Sequence, residues 1–247
     1  MRTAPLSFAT LSFASPSLAT LAGHARNACL GLVCLAALAV APAAQAVSNG
    51  DAVAGLKEAL SRGAEVAVGQ LGKTNGFLGD SRVKIPLPGA LAQAEGMLRM
   101  AGMGKQADEV VDAMNHAAEQ AVVEAKPVLL KAVKGMSVKD AQGVLTGGDH
   151  AATDYFRQTT SGELTQKFLP IVKKATDRLQ VKPQYDKLAG KAAGLGLMDA
   201  KDASLDDYVT RKALDGLFLM IAEQEKAIRK DPVGTGSALL QKVFGGL

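Results

Sequence analysis

The chain has 247 residues, with 28 Lys and Arg against 24 Asp and Glu, no tryptophan and two cysteines. A formal charge of +4 is too evenly balanced for the clustered basic face that nucleic-acid binding requires. Both cysteines lie in a single apolar run near the N-terminus, which excludes a disulfide-built scaffold.

Residues 1–46 hold Arg2 and Arg26 and no acid. The stretch "ACLGLVCLAALAV", Ala28 to Val40, is almost wholly apolar and leads into "APAAQA". A basic lead, an apolar run of roughly 7–15 residues and a small-x-small ending predict a secretory signal peptide, here cleaved after Ala46. The run is short against the roughly 20 residues of a membrane-spanning helix. Val33, in front of Cys34, is not the small residue that lipid attachment needs. Cleavage removes Cys29, Cys34 and two arginines, so 26 basic residues face 24 acidic ones at a net charge of +2. The mature chain, residues 47–247, then has no thiol, no transmembrane segment and a periplasmic address.

Along the mature chain the dominant period is helical. "GQLGKTNG" reads as a helix ending at Gly72. Gly72-Lys73-Thr74 resembles the tail of a phosphate-binding loop, but Ala67 stands where its first glycine belongs. "RVKIPLP" is extended, and its two prolines bar it from a central strand. Met97, Met100 and Met103 have near-helical spacing and, with Met114, predict packing rather than a soft metal site.

Between Gln106 and Lys134 the stripe Val110, Met114, Ala117, Ala121 and Val122 marks an amphipathic helix, with a kink or break at Pro127. Ser137 with Asp140, and Ser204 with Asp207, have the spacing of N-terminal caps. Gly147 and Gly148 end one helix. Leu164, Phe168, Ile171, Val172, Ala175 and Leu179 stripe the next, which contains Pro170 and a second kink or break. Pro183 suits the first turn of "PQYDKLAGKAA". Leu214, Leu217, Phe218, Ile221 and Ile228 stripe the last helix before Asp231-Pro232. The expectation is one all-α domain, an irregular bundle of about seven to nine helices with little or no strand.

"LTGGDHAATDYFRQTTSGEL", residues 145–164, is the densest polar run. At 100° per residue His150, Thr153, Asp154 and Arg157 share a face, opposite Ala151, Ala152, Tyr155 and Phe156. Asp149 is placed to cap, and Asp154 and Arg157 to pair at i,i+3. The functional reading is a docking face for a polar or anionic partner, with Arg157, Thr159, Thr160 and Ser161 donating near a second helix start at Glu163. A metal site built on Asp149, His150, Asp154 and a distant His116 is a rival, as is a hydrolase pairing His150 with Asp154 and Ser161. There is no "GxSxG" elbow to support the latter.

"KIPLPGALAQAE", "VLTGGDHAATDYFRQTTSGELTQKFLPIV", "LDDYVTRKALDGLFLMIAEQEKAIRKDP" and "LLQKVFG" resemble the bacterial family known as domain of unknown function 4197, from about Asp51 to Gly245. The resemblance implies exported, mostly helical proteins of proteobacterial type with no assigned activity or cofactor. It marks residues 145–164 as a family hallmark and carries over no catalytic residue.

The sequence therefore predicts a periplasmic helical binding or interaction module. Its candidate binding residues are Asp149, His150, Asp154, Tyr155, Arg157, Thr159 and Thr160, with no catalytic residue, metal ligand or cofactor assigned. The expected partner is an envelope protein or a small polar or anionic ligand, and a homo-oligomer is compatible with this reading. The alternatives are an enzyme centred on His150 and Asp154, or an envelope-associated structural protein whose apolar "ALLQKVF" touches a surface.

Overall fold

A computed structural model describes residues 48–100, 102, 104–179, 182, 183, 185, 186, 194 and 203–231, all within one compact unit, Gln45–Leu247. Ser48 begins helix α1, Asn49–Leu71, by accepting a hydrogen bond from the Asp51 amide at 3.1 Å, and Gly72 ends it. The chain then turns, with Asn75 in the left-handed region at φ 60°, a conformation asparagine tolerates.

Residues 84–88 run extended without pairing into a sheet, and their alternation is plain: Val83, Ile85 and Leu87 are buried, Lys84 and Pro86 exposed. No strand occurs among the described residues. The backbone groups of this segment find side chains instead. Asn115 serves Ile85, and the Tyr208 hydroxyl donates to the Pro86 carbonyl at 3.1 Å.

Helix α2, Gly89–Met100, packs on α3, Gly104–Val122. Arg99 fastens the two by reaching Glu95 at 2.8 Å and Asp108 at 2.6 Å. The chain breaks at residues 123 and 124 before α4, Ala125–Gly135, so Pro127 falls in a first turn, where a missing N–H leaves nothing unsatisfied. Ser137 and Asp140 form a complete capping box for α5, Val138–Thr146, which ends at Gly147.

Helix α6, Ala151–Thr176, runs unbroken through Pro170 and past Glu163. Neither the second helix start expected at Glu163 nor a break at Pro170 is present. The helix from Pro183 lies largely outside the described residues, as does "ALLQKVF". The described chain thus carries fewer helices than the middle of the expected range of about seven to nine. Helix α7, Leu205–Lys230, is capped by Ser204, which accepts from the Asp207 amide at 3.1 Å.

Helices α6 and α7 form the central pair. Helix α3 lies against both, α1 joins α7 to α4, α4 returns to α6, and α5 touches α1 and α6. The predicted stripes supply the core: Met114, Ala117, Leu164, Phe168, Leu217 and Phe218 are essentially inaccessible, each large side chain contributing about 1.5–3 kcal/mol. Met100, by contrast, is 83% exposed, and Met97 and Met103 lie outside the described side chains. Gly216 on α7 makes room for Phe77, because a Cβ there would sit 2.7 Å from the ring. No helix of the described residues is long and apolar enough to cross a membrane.

Candidate functional site

The polar run 145–164 forms the α5–α6 junction and the first half of α6. Its first turn is capped from across the bundle, by Glu225 of α7, and not by Asp149. The Ala152 amide donates to Glu225 Oε1 at 3.0 Å, the Thr153 amide to Oε2 at 2.9 Å, and the Thr153 hydroxyl to Oε2 at 2.8 Å. Arg229 adds two bonds to Oε1, at 3.1 and 2.8 Å, and donates to the Val144 carbonyl of α5 at 3.0 Å. The Glu225 side chain is only 4% exposed. Its charge is matched by an arginine and by the positive end of a helix. Asp149 is left exposed, and His150 occupies the cap position without a side-chain cap bond.

Tyr155 is turned inward. Its hydroxyl donates to the Ala132 carbonyl of α4 at 3.0 Å, its ring meets Phe156 edge-on, and burial pushes its phenol above the usual range. Arg157 lies 4.6 Å from the centre of the Phe218 ring, a cation–π placement that replaces the expected pairing with Asp154. The hydroxyls of Thr159, Thr160 and Ser161 donate to the carbonyls of Tyr155, Phe156 and Arg157 at 2.7, 2.6 and 2.6 Å. A donor engaged with its own helix is not available to a ligand.

Asp149, His150 and Asp154 stay on the surface. The His150 side chain makes no hydrogen bond to Asp154 or Ser161 among the described residues; residues 150 and 154 meet only through the helix backbone, where the Asp154 amide donates to the His150 carbonyl at 2.8 Å. No cluster of three His, Cys, Asp or Glu suited to a metal occurs among them.

A different constellation assembles on α3. Asn115, fully buried, accepts from the Ile85 amide at 2.8 Å and donates to the carbonyls of Ile85 and Val111 at 2.9 and 2.7 Å. One turn on, Glu119 Oε1 accepts from the amides of Phe77 and Leu78 at 3.1 and 3.2 Å, and Oε2 lies 2.8 Å from His116 Nδ1. A carboxylate only accepts, so Nδ1 carries the proton and Nε2 is the nitrogen left over. His116 is thereby fixed in orientation from the buried side, while its ring remains 43% exposed.

That ring borders a half-open groove of about 480 Å³ between α3 and α6. Its apolar lining comes from Ala113, Ala117, Pro170, Ile171 and Ala175, its polar lining from His116, Gln120, Lys174 and Arg178. Lys174, in the last turn of α6, and Arg178, in the turn that follows the helix, are exposed like charges. Neither has an acidic partner among the described residues. The C-terminal end of α6 favours cations through its dipole, but a dipole does not require them to converge with His116 and Gln120.

A second groove, of about 460 Å³ between α1 and α7, is lined in part by Arg62 and Glu65. Its charges are already matched: Arg62 meets Glu58 at 3.1 Å and Glu65 meets Lys126 at 3.1 Å.

A sequence reading reaches His116 only as a remote metal ligand and passes over Lys174 and Arg178. The available signal was the pair of like charges, Lys174 and Arg178, beside a strong apolar stripe.

The family model described as "Protein of unknown function (DUF4197)" matches residues 46–245. No curated protein and no solved structure matches the chain.

Proposed function

Because the chain belongs to the DUF4197 family, which brings no activity with it, we propose from the geometry that it is an exported, periplasmic binding module whose ligand surface is the groove between α3 and α6. One observation carries this reading. Two cations without internal partners and a histidine fixed from behind border a concave, part-apolar surface of ligand-sized volume. Export is supported by the composition of residues 1–46. The face at residues 147–161 is the weaker reading, since the hydroxyl donors it relies on are engaged with their own helix.

The test is native mass spectrometry of protein purified from the envelope fraction, followed by thermal-shift screening against small polar and amphipathic molecules. Ala175, partly buried on the groove wall, is the place to obstruct it. Ala175→Phe is expected to keep the helical circular dichroism spectrum and lose the binding. Full retention of binding in a folded Ala175→Phe variant removes the groove as the site. An intact mass that includes Cys29 and Cys34 removes the cleaved leader.

A further inference from the structure

The same groove also specifies what kind of molecule it takes. Its apolar lining is Ala113 on α3 with Pro170, Ile171 and Ala175 on α6, over the buried Ala117, and Pro170 contributes ring carbons without an N–H. Small residues on one wall and a branched one on the other give a narrow strip that suits a slender apolar body, with polar side chains making up the rest of the lining.

The polar groups sit on the same lining and share a sign. Arg178 offers a planar fork that matches a carboxylate or phosphate with two parallel bonds, and Lys174 adds a compact charge. Gln120 and the second His116 ring nitrogen supply further polar contacts. No acid lines the groove among the described residues. Glu119, beside His116 and Gln120, has its side chain buried and engaged with Phe77, Leu78 and His116.

Resting on the binding-module reading, we infer that the groove takes a free amphipathic anion: a single unbranched or aromatic apolar body carrying one carboxylate or phosphate head. The head sits on Lys174 and Arg178, and the body lies along Ala113, Ile171 and Ala175. His116 and its Glu119 support are positioning groups, set in place before the ligand arrives because Glu119 is fixed by two backbone amides.

The test is calorimetric titration of the mature protein with decanoate and decyl phosphate below their aggregation limits. Decyl maltoside serves as a neutral probe with the same tail, inorganic phosphate as the head alone, and phosphatidylglycerol vesicles as the membrane source of an anionic head. Both decyl anions should bind. The neutral probe and inorganic phosphate should each be weaker by about tenfold or more. The double variant Lys174→Gln, Arg178→Gln should lose that preference while staying folded by circular dichroism.

Equal affinity for decyl maltoside and decyl phosphate overturns the anionic head and leaves the groove standing. Inorganic phosphate binding as tightly as decyl phosphate overturns the apolar body. Binding seen only with vesicles overturns a free ligand. Decyl anions that bind a folded Ala175→Phe variant as they bind the wild type overturn the groove itself, and no binding of either decyl anion to the wild type overturns the inference.

Discussion

Glu225 holds Thr153 by two bonds at once, taking its amide at 2.9 Å and its hydroxyl at 2.8 Å on the same oxygen. The first turn of α6 is therefore tied to the last third of α7. Arg229 extends the tie to the end of α5 through the Val144 carbonyl. A buried ion pair in this position adds little by its charge alone, since desolvation offsets most of the attraction. Its removal is another matter, because it leaves an arginine and two amides without their acceptor.

Glu225→Ala should therefore lower stability by about 3 kcal/mol or more, while Thr153→Val, which deletes one hydroxyl bond and keeps the shape, should lower it by about 1 kcal/mol. Urea unfolding followed by circular dichroism measures both. Equal, small effects from the two would show that the α6 amides find another acceptor.

Asn115 acts as a surrogate strand for Ile85, presenting both an acceptor and a donor to one residue's backbone. Asn115→Ala should lower stability by about 2–3 kcal/mol, since it strands a buried N–H and a buried C=O together. Asn115→Asp should fare no better at neutral pH: the Ile85 amide keeps its acceptor, but the carbonyls of Ile85 and Val111 then face a carboxylate. Unfolding midpoints at fixed temperature decide this. A stable Asn115→Asp protein would sink the account.

What could be read from the sequence, and what could not, divides by distance along the chain. The Ser137–Asp140 box and the Ser204–Asp207 cap span three residues each and were legible, as were the apolar stripes of α3, α6 and α7. Glu225, Glu119 and Asn115 were not, because their partners stand 73, 42 and 30 residues away and local pattern says nothing of them. The hydroxyls of Thr159, Thr160 and Ser161 misled for a different reason. Inside a continuous helix they turn back to the carbonyl four residues earlier, but the segment read as two short helices, in which such hydroxyls would lie at an end. The α3/α6 groove needed two helices that are about fifty residues apart in sequence, so neither half of it advertised the other.

Two glycines in helices should respond with opposite signs to the same substitution. At Gly216 an added methyl meets Phe77 Cε1 at 2.7 Å and Val83 Cβ at 3.3 Å, and both neighbours are buried. At Gly162 it meets nothing within 4 Å. Gly216→Ala should lower stability by about 1–2 kcal/mol after the helix-propensity gain is counted, and Gly162→Ala should raise it by about 0.5–1 kcal/mol. Thermal unfolding of the two variants side by side measures the contrast. A stabilised Gly216→Ala would mean that Phe77 moves aside freely.

Asp80 gives a dependence on pH with a defined sign. Bonds from the Arg82 side chain, then from the Arg82 amide, hold its carboxyl at about 2 against an ordinary 3.8. Arg82 also reaches Glu223 on α7, so the turn at residues 80–82 is anchored to the bundle through this carboxylate. A folded-state value below the unfolded one means that the contribution is full above the ordinary aspartate range and is lost as pH falls toward 2. The side chains are part-exposed, so the effect is modest and sensitive to salt. The difference in urea midpoint between wild type and Asp80→Asn should be constant from pH 7 to about 5 and shrink steadily from about 4 to 2. A difference that stays level across that acid range would mean that Asp80 is not what holds the turn.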